Sequence, residues 1–188
     1  SGWLLDRLDP ILDGQPRKLF LLIGTNDLAV NTPVAEVVAN VRKIVERFQS
    51  ESPRTKLYVQ SVFPVNDSFK KFASKHGRHD ADIVAVNSEL QAMCAEKGIV
   101  YIDLWTPLAD RNGKLRADVT NDGLHLTGEG YIVWRDAGDG SLYTVYKNQP
   151  YRAIPMAAWG LPTERMVEKR TIHGVEYAIF ALKDGRIL

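Results

Sequence analysis

Residues Lys18 to Ile23 read Lys-Leu-Phe-Leu-Leu-Ile, a short and nearly continuous apolar run. A strand with one wet face alternates apolar and polar side chains. A strand without that alternation is suited to burial on both faces of a parallel sheet. The run breaks at Gly24-Thr25-Asn26-Asp27, a polar turn at the strand's C-terminal end. In open α/β sheets that end is where ligands bind.

The segments around this run extend the same pattern. Upstream, Trp3, Leu4, Leu8, Ile11 and Leu12 fit one face of a short helix, bent by Pro10 and ended by Asp13-Gly14. Downstream, Thr32 is placed to cap a helix with Pro33 in its first position. Its apolar stripe is Val34, Val37, Val38, Val41, Ile44, Val45 and Phe48. Leu57 to Val62 reads as a second strand, followed by a polar loop to about Asp80. A helix carrying Ile83, Val86, Leu90, Met93 and Cys94 stops at Lys97-Gly98, and Ile99 to Ile102 is a third strand. Leu104 to Val119 reads as loop with a turn at Arg111-Asn112-Gly113, and a last helix starts near Thr127. Alternation of strand and helix predicts right-handed βαβ units.

The character changes near Gly138. Leu142 to Tyr146, Met166 to Ile172 and Val175 to Leu182 are candidate strands, with turns at His173-Gly174 and Asp184-Gly185. Gln149 to Pro162, with its prolines, reads as loop. The expected division is an α/β domain over 1–137 and a strand-rich extension over 138–188.

Composition narrows the function classes. The chain has 188 residues, 45% hydrophobic and 25% charged, with a formal net charge of +1. That is ordinary globular composition, and the charge gives no footprint for a nucleic-acid or anionic-membrane partner. Lys70, Lys71, Lys75 and Arg78 read as a solvated loop face. A single cysteine, Cys94, rules out an internal disulfide and reads as a small core residue. No apolar run is long enough to span a membrane as a helix. The chain starts at Ser1 without a visible signal peptide, which is compatible with a removed or missing N-terminal segment and leaves the compartment open.

The segment with most chemistry is Thr120-Asn121-Asp122-Gly123-Leu124-His125-Leu126-Thr127. An imidazole serves as a general base near neutral pH when its tautomer and orientation are fixed, and a carboxylate accepting its ring N–H fixes both. Gly123 lets the turn take unusual backbone angles, so that Asp122 can fold back toward His125. The bland alternative is a helix-entry loop in which Asp122 merely caps. Asn26 has the same two readings: an amide held at a strand end and aimed into a cleft, or a turn residue bonding its own backbone.

Taken together, Leu19 to Leu28 (LFLLIGTNDL) and Thr120 to Tyr131 (TNDGLHLTGEGY) resemble the third and fifth conserved blocks of the SGNH hydrolases, also called the GDSL esterase/lipase family. The resemblance covers roughly residues 2 to 136. It implies a flavodoxin-like three-layer α/β/α fold with a parallel sheet. It also implies hydrolysis of carboxylic esters by Ser-His-Asp chemistry without a cofactor or metal. His125 would be the base, Asp122 its orienting carboxylate, and Gly24 and Asn26 the oxyanion loop. The implied substrate is a small-molecule or carbohydrate ester carrying an acyl or acetyl group.

One departure from the family is large. Its first block, a Gly-Asp-Ser after the first strand, and its second, an oxyanion glycine, normally precede the Gly24–Asn26 loop. Here only a short helix does, so the domain reads as N-terminally truncated and its nucleophile is unknown. Ser1-Gly2 resembles the segment just after the second block. Gly138-Asp139-Gly140-Ser141 follows no buried strand. Ala178 to Leu182 resembles a permuted first strand, but Gly185 stands where serine is needed. Ser61 and Ser68 lie near other strand ends. The family's first strand is interior to the sheet, so the Leu19–Ile23 edge would be bare unless the tail from Leu142, a partner chain or a second copy covers it. Two other functions compete: a non-catalytic module retaining the cleft, and a metal site built from Asp122, His125 and His76 or His79.

Overall fold

The computed structural model describes residues 1–137, 142–146, 149–155, 166–172, 175–183 and 186–187. Three parallel strands, β1 (Lys18–Leu21), β2 (Lys56–Gln60) and β3 (Val100–Ile102), lie side by side in sequence order. The register pairs Leu19 with Leu57 and Val59 with Tyr101. The crossovers are the long helices α4 (Val34–Glu51) and α5 (Asp80–Lys97). Two successive right-handed crossovers moving in one direction place both helices on the same face of the sheet. Accordingly Val41, Ile44, Val45 and Phe48 of α4 and Ile83, Val86, Leu90 and Met93 of α5 share one core with Leu21 and Val59.

The opposite face is covered by α6 (Trp105–Leu108), the 3₁₀ turn Ala117–Val119 and α7 (Gly128–Ala137). Leu104, Leu108, Leu115 and Val119 form a second core there with Ile102, Leu22, Tyr58 and Phe63. The result is the expected three-layer α/β/α arrangement. The segment read as loop over Leu104–Val119 thus contains two short helical turns, built by tertiary packing where the sequence has no helical period.

The entry differs from expectation as well. The single bent helix is two pieces, α1 (Gly2–Leu5) and α2 (Asp9–Asp13). Pro10 lies in the first turn of α2, where its missing N–H costs nothing, so it starts a helix instead of bending one. Trp3 is 82% exposed and leaves the apolar face to Leu8 and Leu12. After β1, Gly24 takes φ +129 and opens the five-residue helix α3 (Thr25–Ala29) in place of a simple turn. Pro33 occupies the cap position of α4, one residue after the expected Thr32. Gly98, at φ +64, ends α5 as the sequence suggests.

The described part of the tail forms an antiparallel sheet of its own. It contains β4 (Leu142–Tyr146), β5 (Gln149–Pro155), β6 (Glu168–Ile172), β7 (Val175–Lys183) and β8 (Arg186–Ile187), with β4-β5-β7-β6 in spatial order and β8 on β7. Three expectations are corrected here. Residues 149–155 are strand, not loop, and Pro150 sits near the start of β5 opposite Val145. Val175–Lys183 pairs with β5 and β6 and is no permuted first strand of the parallel sheet. Nor does any described strand of the tail pair with β1, whose only strand neighbour among the described residues is β2. The Gly138–Ser141 segment and the turns at His173-Gly174 and Asp184-Gly185 lie outside the described residues.

Candidate active site

The site lies beyond the C-terminal ends of β1 and β2. Gly24 is required where β1 ends. Its positive φ disfavours any side chain, and an added Cβ would sit 3.1 Å from Val62 Cγ2 and 3.3 Å from Val37 Cγ1. The turn it permits places Asn26 in the first turn of α3, exposed at the surface. Asp27 is held from below: Ser1 Oγ donates to Asp27 Oδ1 at 2.8 Å and in turn accepts from Asn40 Nδ2 at 3.0 Å. This ties α1 and α4 to the Asn26 loop.

The second loop is built around Gly123. Its φ is +83, and a Cβ there would lie 2.2 Å from the carbonyl oxygen of Asn66. The close approach exists because Asn66 N–H donates to the Gly123 carbonyl at 2.8 Å. Asn66 Nδ2 donates to the Leu115 carbonyl, and Asn66 Oδ1 accepts from Ser68. Thr120 closes the loop on itself, its hydroxyl donating to the His125 carbonyl at 2.6 Å and accepting from Gly123 N–H at 3.0 Å.

Within that frame Asp122 does fold back. Its Oδ1 accepts the backbone N–H groups of Leu124 and His125 at 3.0 and 2.8 Å, and its Oδ2 lies 2.8 Å from His125 Nδ1. Burial alone would raise the pKa of this carboxyl. The His125 N–H, the His125 ring and the Leu124 N–H outweigh it and hold the group well below the ordinary carboxylate range. Asp122 is therefore a carboxylate at neutral pH, and the ring proton of neutral His125 is assigned to Nδ1, facing it. Asp122 is 11% exposed and His125 66%. The carboxylate is shielded while the imidazole is largely open to solvent. His125 Nε2 has no hydrogen-bond partner among the described residues.

The two loops meet through the segment between β2 and α5. His76 Nε2 lies 3.3 Å from Asn26 Oδ1. Phe72 packs its ring edge-on against both His76, at 5.7 Å between centroids, and His125, at 5.3 Å. Lys71 Nζ stands 3.7 Å from Asp122 Oδ2 and 5.2 Å from the Phe72 ring centroid. Asn26, His76, Phe72, His125 and Asp122 thus form one continuous cluster at the strand ends. Neither Phe72 nor Lys71 is marked for it by any local pattern; Lys71 read as part of a solvated face, and Phe72 carries no motif.

The described serines read as possible nucleophiles have their hydroxyls engaged in other hydrogen bonds. Ser61 is fully buried, and its hydroxyl accepts the N–H groups of Leu104 and Trp105, both at 2.8 Å. Ser68 donates to Asn66 Oδ1 at 2.6 Å. Ser141 falls outside the described residues. His79 is buried and bonds Asp82 through Nδ1 at 2.8 Å, so it is turned into the start of α5. No group of three or more candidate metal ligands occurs among the described residues. Cys94 is buried in the core, its thiol pushed up to about 11 by burial, which is inert chemistry.

Comparison with known proteins adds the family. The model of the GDSL-like lipase/acylhydrolase family matches residues 1–133. The chain belongs to this family. A GDSL esterase/lipase of rice (Oryza sativa subsp. japonica) is 28% identical over 129 residues, which is 62% of this chain and 49% of that protein. The chain spans about half or less of the length of the curated relatives it matches. Among solved structures, a GDSL-like lipase from Bacteroides thetaiotaomicron superposes with a TM-score of 0.62 at 24% identity, covering 73% of this chain and 67% of that one. A family 3 carbohydrate esterase from Clostridium thermocellum gives 0.55 at 19% identity, covering 74% and 62%. At these identities the two structures speak for the fold. Family membership accounts for the order of the two motifs along the chain, Gly24–Asp27 first and Asp122–His125 last.

Proposed function

We propose that this GDSL-family chain carries the base and oxyanion half of a carboxylic ester hydrolase acting on a short acyl or acetyl ester. The observation that carries the reading is the 2.8 Å contact between His125 Nδ1 and Asp122 Oδ2, on an imidazole that is 66% exposed. In the proposed reaction a hydroxyl oxygen attacks the ester carbonyl carbon while His125 Nε2 takes its proton. Asp122 stabilises the imidazolium that forms. Charge on the carbonyl oxygen is met by the Asn26 side-chain amide, and the Gly24 turn holds that loop in place. Collapse of the tetrahedral intermediate breaks the bond to the alcohol, which leaves with the proton from Nε2; water, giving its proton to Nε2, then attacks the acyl carbon, and the acid leaves as the hydroxyl takes that proton back.

An acetyl group on a carbohydrate is the substrate proposed first; esters of carbohydrates are the class named for the Clostridium thermocellum neighbour. A second reading, a ligand-binding module with the cleft intact, is favoured by the hydrogen bonds that occupy Ser61 and Ser68. Hydrolysis of p-nitrophenyl acetate and of an acetylated xylooligosaccharide, compared between this chain and His125→Ala, separates them. Turnover lost by about 10³-fold or more in His125→Ala supports the hydrolase. Turnover that survives the substitution rejects His125 as the base. Binding of the oligosaccharide without turnover selects the module.

A further inference from the structure

We propose that His76 is a positioning residue for the oxyanion amide: its Nε2–H donates to Asn26 Oδ1 and so turns the Asn26 Nδ2 group toward the reacting carbonyl. The inference rests on the reading of Asn26 given above, and it adds a residue that lies in neither ester-hydrolase motif.

Two arrangements of the 3.3 Å contact are geometrically available, because amide and imidazole can each be turned. In the first, Nε2 carries the proton and donates to the amide oxygen. In the second, the amide donates to a bare Nε2 and the proton sits on Nδ1. His76 Nδ1 is buried and has no hydrogen-bond partner among the described residues. The second arrangement therefore buries an unmet N–H donor, while the first buries only an unmet lone pair. Orphaned donors are the rarer and costlier state. The doubly protonated ring is disfavoured too, since burial, with His125, His79 and Lys75 nearby, holds the His76 pKa below its ordinary value. The first arrangement is what remains.

Its consequence reaches the chemistry. With Oδ1 engaged by His76, the Asn26 Nδ2 group has no other partner among the described residues and points away from the ring. The flipped amide would present oxygen to a developing oxyanion, which repels it. A separation of 3.3 Å is long for an N–H···O bond and leaves room for tightening when the amide is pulled on by bound substrate. The histidine is itself fixed. Its N–H donates to the Phe72 carbonyl at 2.9 Å, and Phe72 packs against the ring. At the next residue, Gly77, a Cβ would come within 2.6 Å of Asp67 Cβ, so the segment has no slack.

The first test needs no turnover. Long-range ¹H–¹⁵N correlation on the ¹⁵N-labelled chain reads which ring nitrogen of His76 is protonated. The proton is expected on Nε2; an Nδ1–H tautomer overturns the proposal. The Asn26 side-chain amide resonances should move in His76→Ala and stay near their original positions in His76→Gln, whose side-chain amide restores a donor. Resonances unmoved by His76→Ala also overturn it. The kinetic arm asks whether His76 acts through Asn26. His76→Ala should lower kcat by about 10-fold or more with KM little changed, His76→Gln should recover most of it, and the same change in an Asn26→Ala background should do nothing further. A fully additive loss defeats the proposal. Turnover indifferent to Asn26→Ala would instead reject the oxyanion reading while leaving the tautomer result standing.

Discussion

Asp122 holds His125 at two points at once: one carboxylate oxygen accepts its backbone N–H and the other faces its ring Nδ1, both at 2.8 Å. The grip needs both oxygens to be acceptors. A side chain with one acceptor and one donor cannot reproduce it.

Asp122→Asn should therefore be more harmful than its size suggests. If the amide nitrogen faces the ring it donates to Nδ1 and selects the wrong tautomer for a base at Nε2. A loss of about 10³- to 10⁴-fold in kcat is expected in an ester hydrolysis assay. A loss below tenfold would mean that His125 is oriented by something else.

The same carboxylate makes stability depend on pH. Its pKa is lowered in the fold from an ordinary 3.8. The contribution is therefore fully present well above 3.8 and fades as pH falls below it. Tm measured against pH should show wild type above Asp122→Asn near neutrality, with the gap closing in acid below about pH 4. A gap that stays constant into acid would contradict the assignment.

Removing the amide at Asn26 tests the oxyanion reading. Asn26→Ala should cost about 10²- to 10³-fold in kcat, the loss found for a single oxyanion donor, with the fold intact by circular dichroism. Since Asn26 is exposed, no large change in Tm should accompany it.

Gly123→Ala forces a Cβ onto the Asn66 carbonyl and a side chain into positive φ. The two effects together should destabilise the chain by about 2–5 kcal/mol, read from urea unfolding at constant m. A cost under 1 kcal/mol would show that the loop can relax away from Asn66.

Ser61→Ala separates a structural hydroxyl from a nucleophile. It strands the buried N–H of Leu104 and the partly buried N–H of Trp105, and should cost about 2–4 kcal/mol of stability. Under conditions where the variant is folded, kcat should be unchanged. An abolished kcat in folded protein would make Ser61 part of the chemistry.

How far the sequence led depends on the length scale of the signal. The parallel sheet followed from runs such as Leu19–Ile23 and the α4 stripe, because apolar strands and a 3.6-residue period are visible in the sequence, but the expected burial of β1 on both faces does not hold: Phe20 is 51% exposed on this outer strand. The Asp122–His125 contact was legible for the same reason: its partners are three residues apart. His76 is 50 residues from Asn26, and no local pattern announces a contact of that span. His76 read instead, like His79, as a possible third ligand beside Asp122 and His125, but the structure sets the His76 ring against Asn26 and the His79 ring against Asp82. The two short helices before β1 were missed because Pro10 breaks a continuous pattern equally well as a kink or as a new start. The tail misled at Gln149–Pro155, where prolines suggested loop and strand pairing prevailed.

Asn66 has its main-chain N–H on Gly123, its amide nitrogen on the Leu115 carbonyl and its amide oxygen on Ser68. Three separate stretches of chain are thereby clamped by one residue located in neither conserved motif. The histidine loop and the 67–79 segment should loosen in unison: amide exchange at Asn66 and in the segments it ties would rise together when the clamp is cut by Asn66→Ala. The geometry around His125 would then depend on a single latch and not on two independent loops.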